Sequence, residues 1–164
     1  LDLSKIESNT MEFNFCNISL HQVLNEIGSA QRMNMKKGVE LLLDLPGQEI
    51  TISTDPTRLS QVINNLVNNA IKFTSEGNIC IGYRPATSNR VKIFVEDTGT
   101  GMAKEVIEHI FDRFYKGDAF KQGTGLGLSI CQMIAEKMNA TVGIHSEVNK
   151  GSEFWIELPY QPIN

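Results

Sequence analysis

Between Asp55 and Phe73 the chain changes character every three or four residues, and that periodicity limits the fold more than any other stretch. Asp55-Pro56 opens the segment as a helix. Aspartate caps the free amides of a first turn, and proline, with no amide hydrogen to lose, suits the first helical position. At about 100° per residue, Leu59, Val62, Ile63, Leu66, Ala70 and Phe73 gather on one half of the cylinder. Arg58, Gln61, Asn65, Asn69 and Lys72 gather on the other, within roughly 40° of Asn65. An apolar half that broad has to be buried against a second layer of structure.

The polar half has an unusual composition. Solvated helix faces favour Glu and Lys in ion pairs, and asparagine is a mediocre helix former. Four asparagines nevertheless occur here: Asn64, Asn65, Asn68 and Asn69. An amide oxygen can ligate Mg²⁺ without adding charge, and a nearby lysine can meet phosphate. The stripe is a candidate magnesium–phosphate face; an ordinary solvated face is the alternative.

The remaining elements are read from alternation and punctuation. A short strand is predicted over 12–16, with Phe13 and Phe15 on one side, then a helix from an N-cap at Ser19 to about Lys37, stopped by Gly38. Strands follow over 39–45 and 50–53, around the turn signal Pro46-Gly47. After the central helix come paired strands over 78–84 and 91–96, a short helix over 104–110, a loop over 115–125 and a buried helix over 125–138. A closing hairpin spans 141–147 and 153–158. Runs of antiparallel hairpins mixed with helices predict an α+β fold. It is a two-layer sandwich, a mixed and mostly antiparallel sheet with helices packed on one face. No alternation of strand and crossover helix suggests a parallel sheet.

Two glycine segments differ in character. Glu96-Asp97-Thr98-Gly99-Thr100-Gly101-Met102 follows a strand and precedes a helix. Its glycines permit close backbone approach, and an aspartate at a strand end can accept from an exocyclic amine. An ordinary turn would look the same. Gly123-Thr124-Gly125-Leu126-Gly127-Leu128 precedes a helix, where backbone amides favour anions. It is neither a dinucleotide fingerprint nor a P-loop, because Leu128 stands where the former needs its third glycine and no Gly-Lys-Ser/Thr follows. Between the two, Arg113 and Lys116 sit among Phe111, Phe114 and Tyr115.

Taken together and in this order, the segments resemble the catalytic and ATP-binding domain of sensor histidine kinases. The wider group also holds type II topoisomerase, heat-shock chaperone and mismatch-repair ATPases, with a Bergerat-type ATP-binding fold. The stretch 61–74, ending Asn69-Ala70-Ile71-Lys72-Phe73-Thr74, resembles the N box; 97–101 the first glycine box; 111–114 the F box; and 123–128 the second glycine box. Gly151-Ser152-Glu153-Phe154 fits the family's last strand. Each box alone is a weak signal, and four in order are a specific one. The resemblance implies that Asn69 ligates Mg²⁺ with Asn65 beside it, and that Lys72 contacts phosphate. Asp97 would accept from the adenine amino group, with Gly99, Gly101, Met102 and Phe73 around the base. Arg113, Phe114, Tyr115 and Lys116 would line a lid, and Gly123, Thr124, Gly125, Leu126, Gly127 and Leu128 would hold phosphates. Asn65, Lys72 and Arg113 are the residues implied in catalysis. ATP or ADP and Mg²⁺ are the implied ligands.

The resemblance also divides the chain: residues 1–10 as the remnant of a dimerisation and phosphoacceptor helix, 11–164 as the catalytic domain. The implied partners are that acceptor domain, upstream in the parent chain, and the receiver domain of a response regulator. The parent is expected to be a homodimer of simple or hybrid architecture, cytoplasmic in this portion, with room for a membrane anchor upstream. No local histidine fits the acceptor box, which has an acidic residue after its histidine. Gln22 follows His21, Ile110 follows His109 and Ser146 follows His145. All three read as ordinary surface or edge histidines. Topoisomerase-type ATPases carry a water-activating glutamate one turn before the magnesium asparagine, and here that position is Asn65.

Composition bounds the alternatives. At 164 residues with a net charge of -4, the chain suits one domain and lacks the basic footprint of a nucleic-acid binder. No run approaches the ~18 apolar residues of a membrane span. Three scattered cysteines without metal-ligand spacing read as small core residues in a reducing compartment.

Overall fold

The computed structural model describes residues 12–87, 89–112 and 127–160. Seven strands and four helices are described: β1 Cys16–Ser19, α1 Leu20–Arg32, β2 Val39–Asp44, β3 Thr51–Thr54, α2 Pro56–Phe73, β4 Gly77–Pro85, β5 Arg90–Asp97, α3 Lys104–His109, α4 Gly127–Lys137, β6 Thr141–Glu147 and β7 Gly151–Pro159. The main sheet has the order β2-β4-β5-β7-β6, and β1 pairs with β3 in a separate antiparallel ribbon. Helices α1, α2 and α4 cover one face of the sheet, which is the α+β sandwich expected.

Alternation along the central strands builds the core. Ile79, Ile81 and Tyr83 on β4, Val91, Ile93 and Val95 on β5, and Phe154, Ile156 and Leu158 on β7 are all buried. Their side chains share the helix-facing side because strand residues two apart point the same way. Against them lies the apolar half of α2, with Leu59, Val62, Ile63, Leu66, Val67 and Ala70 all fully buried. The helix starts where the sequence says it should. Asp55 Oδ1 accepts from the amides of Thr57 and Arg58 at 3.0 and 3.1 Å. Its Oδ2 accepts from the Asn14 amide at 2.8 Å, which ties the entering chain to the same cap.

Three expectations need correction. The strand predicted over 12–16 lies instead at Cys16–Ser19, where four residues find partners on β3. Phe13 and Phe15 pack on each other rather than joining a ladder, with centroids 6.3 Å apart. Helix α1 ends at Arg32, a turn before Lys37, and a tight turn carries the chain to Gly38 at φ +88°. The main sheet is mixed and mostly antiparallel, as expected: β2 runs parallel to β4, joined to it through β3 and α2, and the other pairs are antiparallel. The turn at Pro46-Gly47 hides this crossover in the sequence, because the strand after it belongs to a different sheet. Finally, of the three cysteines only Cys131 is buried; Cys80 is half-buried and Cys16 exposed.

Candidate functional site

The α2 stripe divides in the structure. Asn65, Asn69 and Lys72 are half-buried along one line of the helix. Asn65 Nδ2 donates to the Gly127 carbonyl at 3.4 Å, tying α2 to the start of α4. The same amide neighbours Cys131, whose thiol is pushed up to about 12 by burial and drawn slightly back by Asn65. One terminal atom of the Asn69 amide, Nδ2, is buried with no hydrogen-bond partner. Asn64 and Asn68 turn the other way: both accept from Gln31 Nε2 on α1, at 2.8 and 3.3 Å. Farther toward the N-terminus, Arg58 Nη1 donates to Gln61 Oε1 at 3.4 Å and its guanidinium lies over Phe13.

The far end of α2 meets the ends of the central strands. Val91, Ile93 and Val95 face the helices, and the next inward position is Asp97. Its pair on β7 is Ser152, and the pair of Ser152 on β6 is Ser146. A polar row thus replaces the apolar rows at this edge. Asp97 Oδ1 accepts from the Gly99 amide at 2.9 Å, while Oδ2 is buried and unpartnered. Burial raises the Asp97 pKa; the amides of Gly99 and Ser152 oppose the shift without cancelling it. Thr74 Oγ1, at the end of α2, is likewise buried without a partner. Buried polar groups are hydrogen-bonded in the great majority of cases, so such atoms point to a ligand or ordered water. Three of the four found among the described residues, on Asn69, Thr74 and Asp97, lie here; the fourth, Thr54 Oγ1, lies at the opposite end of α2.

The glycines of the first box pack this corner together. A Cβ on Gly99 would stand 2.2 Å from the Phe73 carbonyl oxygen and 2.9 Å from Thr74 Oγ1. Gly101 has φ +67°, and a Cβ there would stand 1.8 Å from the Glu147 carbonyl oxygen. The Thr100 amide donates to Phe73 at 3.1 Å, and the Asn149 amide to Thr100 at 2.7 Å. Met102 is buried, its amide donating to Ser146 Oγ at 2.9 Å, and Ser146 bonds Ser152 at 2.7 Å. Ser146 and Ser152 carry no role in the sequence reading. For Ser146 the signal was there, an inward position of a predicted strand where an apolar residue is expected; Ser152 fell just outside the strand predicted over 153–158, which in the structure starts at Gly151.

The structure therefore brings together Asn65, Asn69, Lys72, Phe73, Asp97, Gly99, Gly101 and Met102 along α2 and the adjoining strand end. Phe73 and Leu128 are buried in the core, and Gly127 opens α4. Arg113, Phe114, Tyr115, Lys116, Gly123, Thr124, Gly125 and Leu126 lie outside the described residues. Among the described residues, no three His, Cys, Asp or Glu side chains gather as a metal cluster. An ion held here would take oxygen from an amide such as Asn69 and from a ligand's own phosphates, the hard donor set that Mg²⁺ prefers. The orphaned atom of Asn69 is its nitrogen, a donor, so only the side-chain oxygen, Oδ1, could serve such an ion.

Residues 54–162 match the family of histidine kinase-, DNA gyrase B- and HSP90-like ATPases, and the chain belongs to that family. It is 36% identical over 165 residues to the sensor histidine kinase RcsC of Escherichia coli, covering 97% of this chain and 17% of RcsC. It is 45% identical over 112 residues to the sensor protein SrrB of Staphylococcus aureus, covering 65% of this chain and 19% of SrrB. Full-length ShkA, solved in complex with AMPPNP, superposes with a TM-score of 0.89 at 28% identity, over 98% of this chain and 34% of that one. The chain thus spans less than a fifth of the length of these two curated relatives.

Proposed function

We propose that this chain binds Mg·ATP between α2 and the polar edge of the sheet. We further propose that it donates the γ-phosphoryl group to a histidine on a separate helical hairpin. The observation that carries the reading is the buried, unpartnered Oδ2 of Asp97, with the orphaned Thr74 hydroxyl packed against the same Gly99. A carboxylate oxygen held there can accept the exocyclic amine of adenine, and a base stacked beside Met102 would leave its phosphates running along Asn69, Lys72 and Asn65. The ATP analogue bound by ShkA, a protein of matching fold, supports the same ligand class.

Mg²⁺ would neutralise charge on the phosphates. Lys72 would add a second positive charge and Asn69 an oxygen for the ion, and the resemblance assigns Arg113 to the lid and residues 123–128 to the same phosphates. Catalysis in phosphoryl transfer is mostly positioning and electrostatic stabilisation, so this chain needs no nucleophile of its own. An imidazole nitrogen of the incoming histidine forms the new N–P bond, and the bond from γ-phosphorus to the bridging oxygen breaks. Its electron pair leaves on ADP, and the imidazole passes its remaining N–H proton to a base on the hairpin or to water. Asn65 cannot accept a proton at neutral pH and its amide already donates to Gly127, which favours transfer over hydrolysis.

Residues 1–10 are then the end of the dimerisation hairpin and 11–164 the catalytic domain. The downstream acceptor would be an aspartate on a response-regulator receiver domain. The parent would work in the cytoplasm as a homodimer, with or without a membrane anchor; no helix among the described residues is long and apolar enough to cross a membrane.

The test is to mix this chain with γ-labelled ATP and a separately produced histidine hairpin of the parent protein. Acid-labile label should appear on the hairpin and vanish in Asn69→Ala. Tight ATP binding with no label on the hairpin would instead favour a regulatory nucleotide module. Steady hydrolysis abolished by Asn65→Ala would favour an ATPase.

A further inference from the structure

The four asparagines of α2 form two parallel pairs, each spaced i, i+4. Asn65 and Asn69 face the nucleotide side, while Asn64 and Asn68, turned about 100° around the helix, face α1. What they face is Gln31, a buried amide in the last turn of α1, only 5% exposed. Its Nε2 donates to both asparagine oxygens, at 2.8 and 3.3 Å, and its Oε1 accepts from Asn34 Nδ2 at 3.0 Å. We infer that Gln31 is a positioning residue for the magnesium site, acting through Asn64 and Asn68 to fix the rotation of α2 about its own axis. The inference rests on the Mg·ATP reading above.

The physical case has three parts. Burying an amide is unfavourable unless its hydrogen bonds are made, and a leucine here would extend the core without that condition. The apolar packing of α2 is close but non-directional, whereas a hydrogen bond to an amide oxygen weakens steeply with angle. Apolar contact therefore sets how deeply α2 sits, and the Gln31 clasp sets which way its polar line points. The lever arm is short. A side-chain group about 5 Å from the helix axis moves by about 0.9 Å when the helix turns about 10°. Mg²⁺ demands near-ideal octahedral geometry, so a shift of that size at Asn69 matters to it. Asp97, the adenine acceptor, stands on β5 and pairs with β7, so its own position does not turn with α2.

The test measures ATP affinity of the 164-residue chain in MgCl₂ and in EDTA, with melting temperature alongside. The variants are Gln31→Leu and, approached from the other helix, Asn64→Ala/Asn68→Ala. The double variant replaces two exposed or half-exposed asparagines by the best helix former, so it retains its fold even where Gln31→Leu does not. The expected result is that the gain in ATP affinity conferred by Mg²⁺ falls about tenfold, as it does when supporting groups around a metal are removed. Affinity in EDTA stays within about twofold of wild type. A melting temperature that drops while the Mg²⁺-linked gain is unchanged makes the clasp purely structural and overturns the inference. So does an equal loss of affinity with and without Mg²⁺. If the wild-type chain itself shows no Mg²⁺-linked gain, the Mg·ATP reading fails first and the inference falls with it.

Discussion

The last inward position of β5 could have held another valine; it holds Asp97, with one oxygen satisfied by the Gly99 amide and the other without a hydrogen bond among the described residues. Burial disfavours the ionised form, so its carboxyl titrates above the usual 3.8. The folded state then holds that proton more tightly than the unfolded state. Stability falls as pH rises from 3.8 through the raised value, and the burial penalty is complete above it. Asp97→Asn removes this pH dependence. The melting temperature of the nucleotide-free variant should gain on wild type as pH rises through that window, read in parallel thermal melts. A constant difference across pH would mean the buried carboxylate carries no such penalty. The same substitution should weaken ATP binding by about 2 kcal/mol, roughly 30-fold, because an acceptor facing the amine becomes a donor. Calorimetric titration measures it, and a loss under about fivefold would remove Asp97 from adenine recognition. The sequence marked Asp97 by its place in a glycine box, but gave Ser146 and Ser152 no part beside it. Only cross-strand register brings those two to its side, and register is not written in any one segment.

Helix α2 was the most legible element, since its cap, its apolar half and its end all follow from local spacing. What local spacing could not supply was the identity of its neighbours. The four asparagines read as one polar face, whereas α1 claims Asn64 and Asn68 and leaves Asn65 and Asn69 for the site. The cap itself reaches beyond the helix, because Asp55 also accepts from Asn14. Asp55→Ala should therefore cost about 2 kcal/mol, the upper end for an N-cap, read as a lower urea midpoint. A cost near zero would mean water replaces the cap. Between α2 and α4, Cys131 is fully buried with its thiol pKa pushed up to about 12, while Cys16 stands exposed on β1. Iodoacetamide at mildly alkaline pH should label Cys16 in the native chain and Cys131 only after unfolding, as mass spectrometry would resolve. Rapid native labelling of Cys131 would contradict the packing of α2 on α4.

At the scale of the molecule, one layer of helices on a five-stranded sheet was predictable from the mixture of hairpins and amphipathic helices. A mixed sheet was legible too, but which pair runs parallel was not, because the short strand β3 intervenes between β2 and β4 in sequence yet belongs with β1. That crossover matters to the site. It carries α2 from the β1–β3 ribbon across the sheet, so that its C-terminal end arrives beside the ends of β5 and β7, where Asp97 and Ser152 pair. With Asn65 in place of a proton acceptor, the chain alone should bind ATP yet hydrolyse it no faster than buffer; sustained turnover in a coupled assay would contradict that. The central claim, that this polar corner reads adenine, is tested most directly by comparing ATP with inosine triphosphate, which has a carbonyl oxygen in place of the exocyclic amine. The wild-type chain should prefer ATP by about tenfold or more, and Asp97→Asn should erase the preference. Equal affinity of the wild-type chain for the two nucleotides would contradict the account.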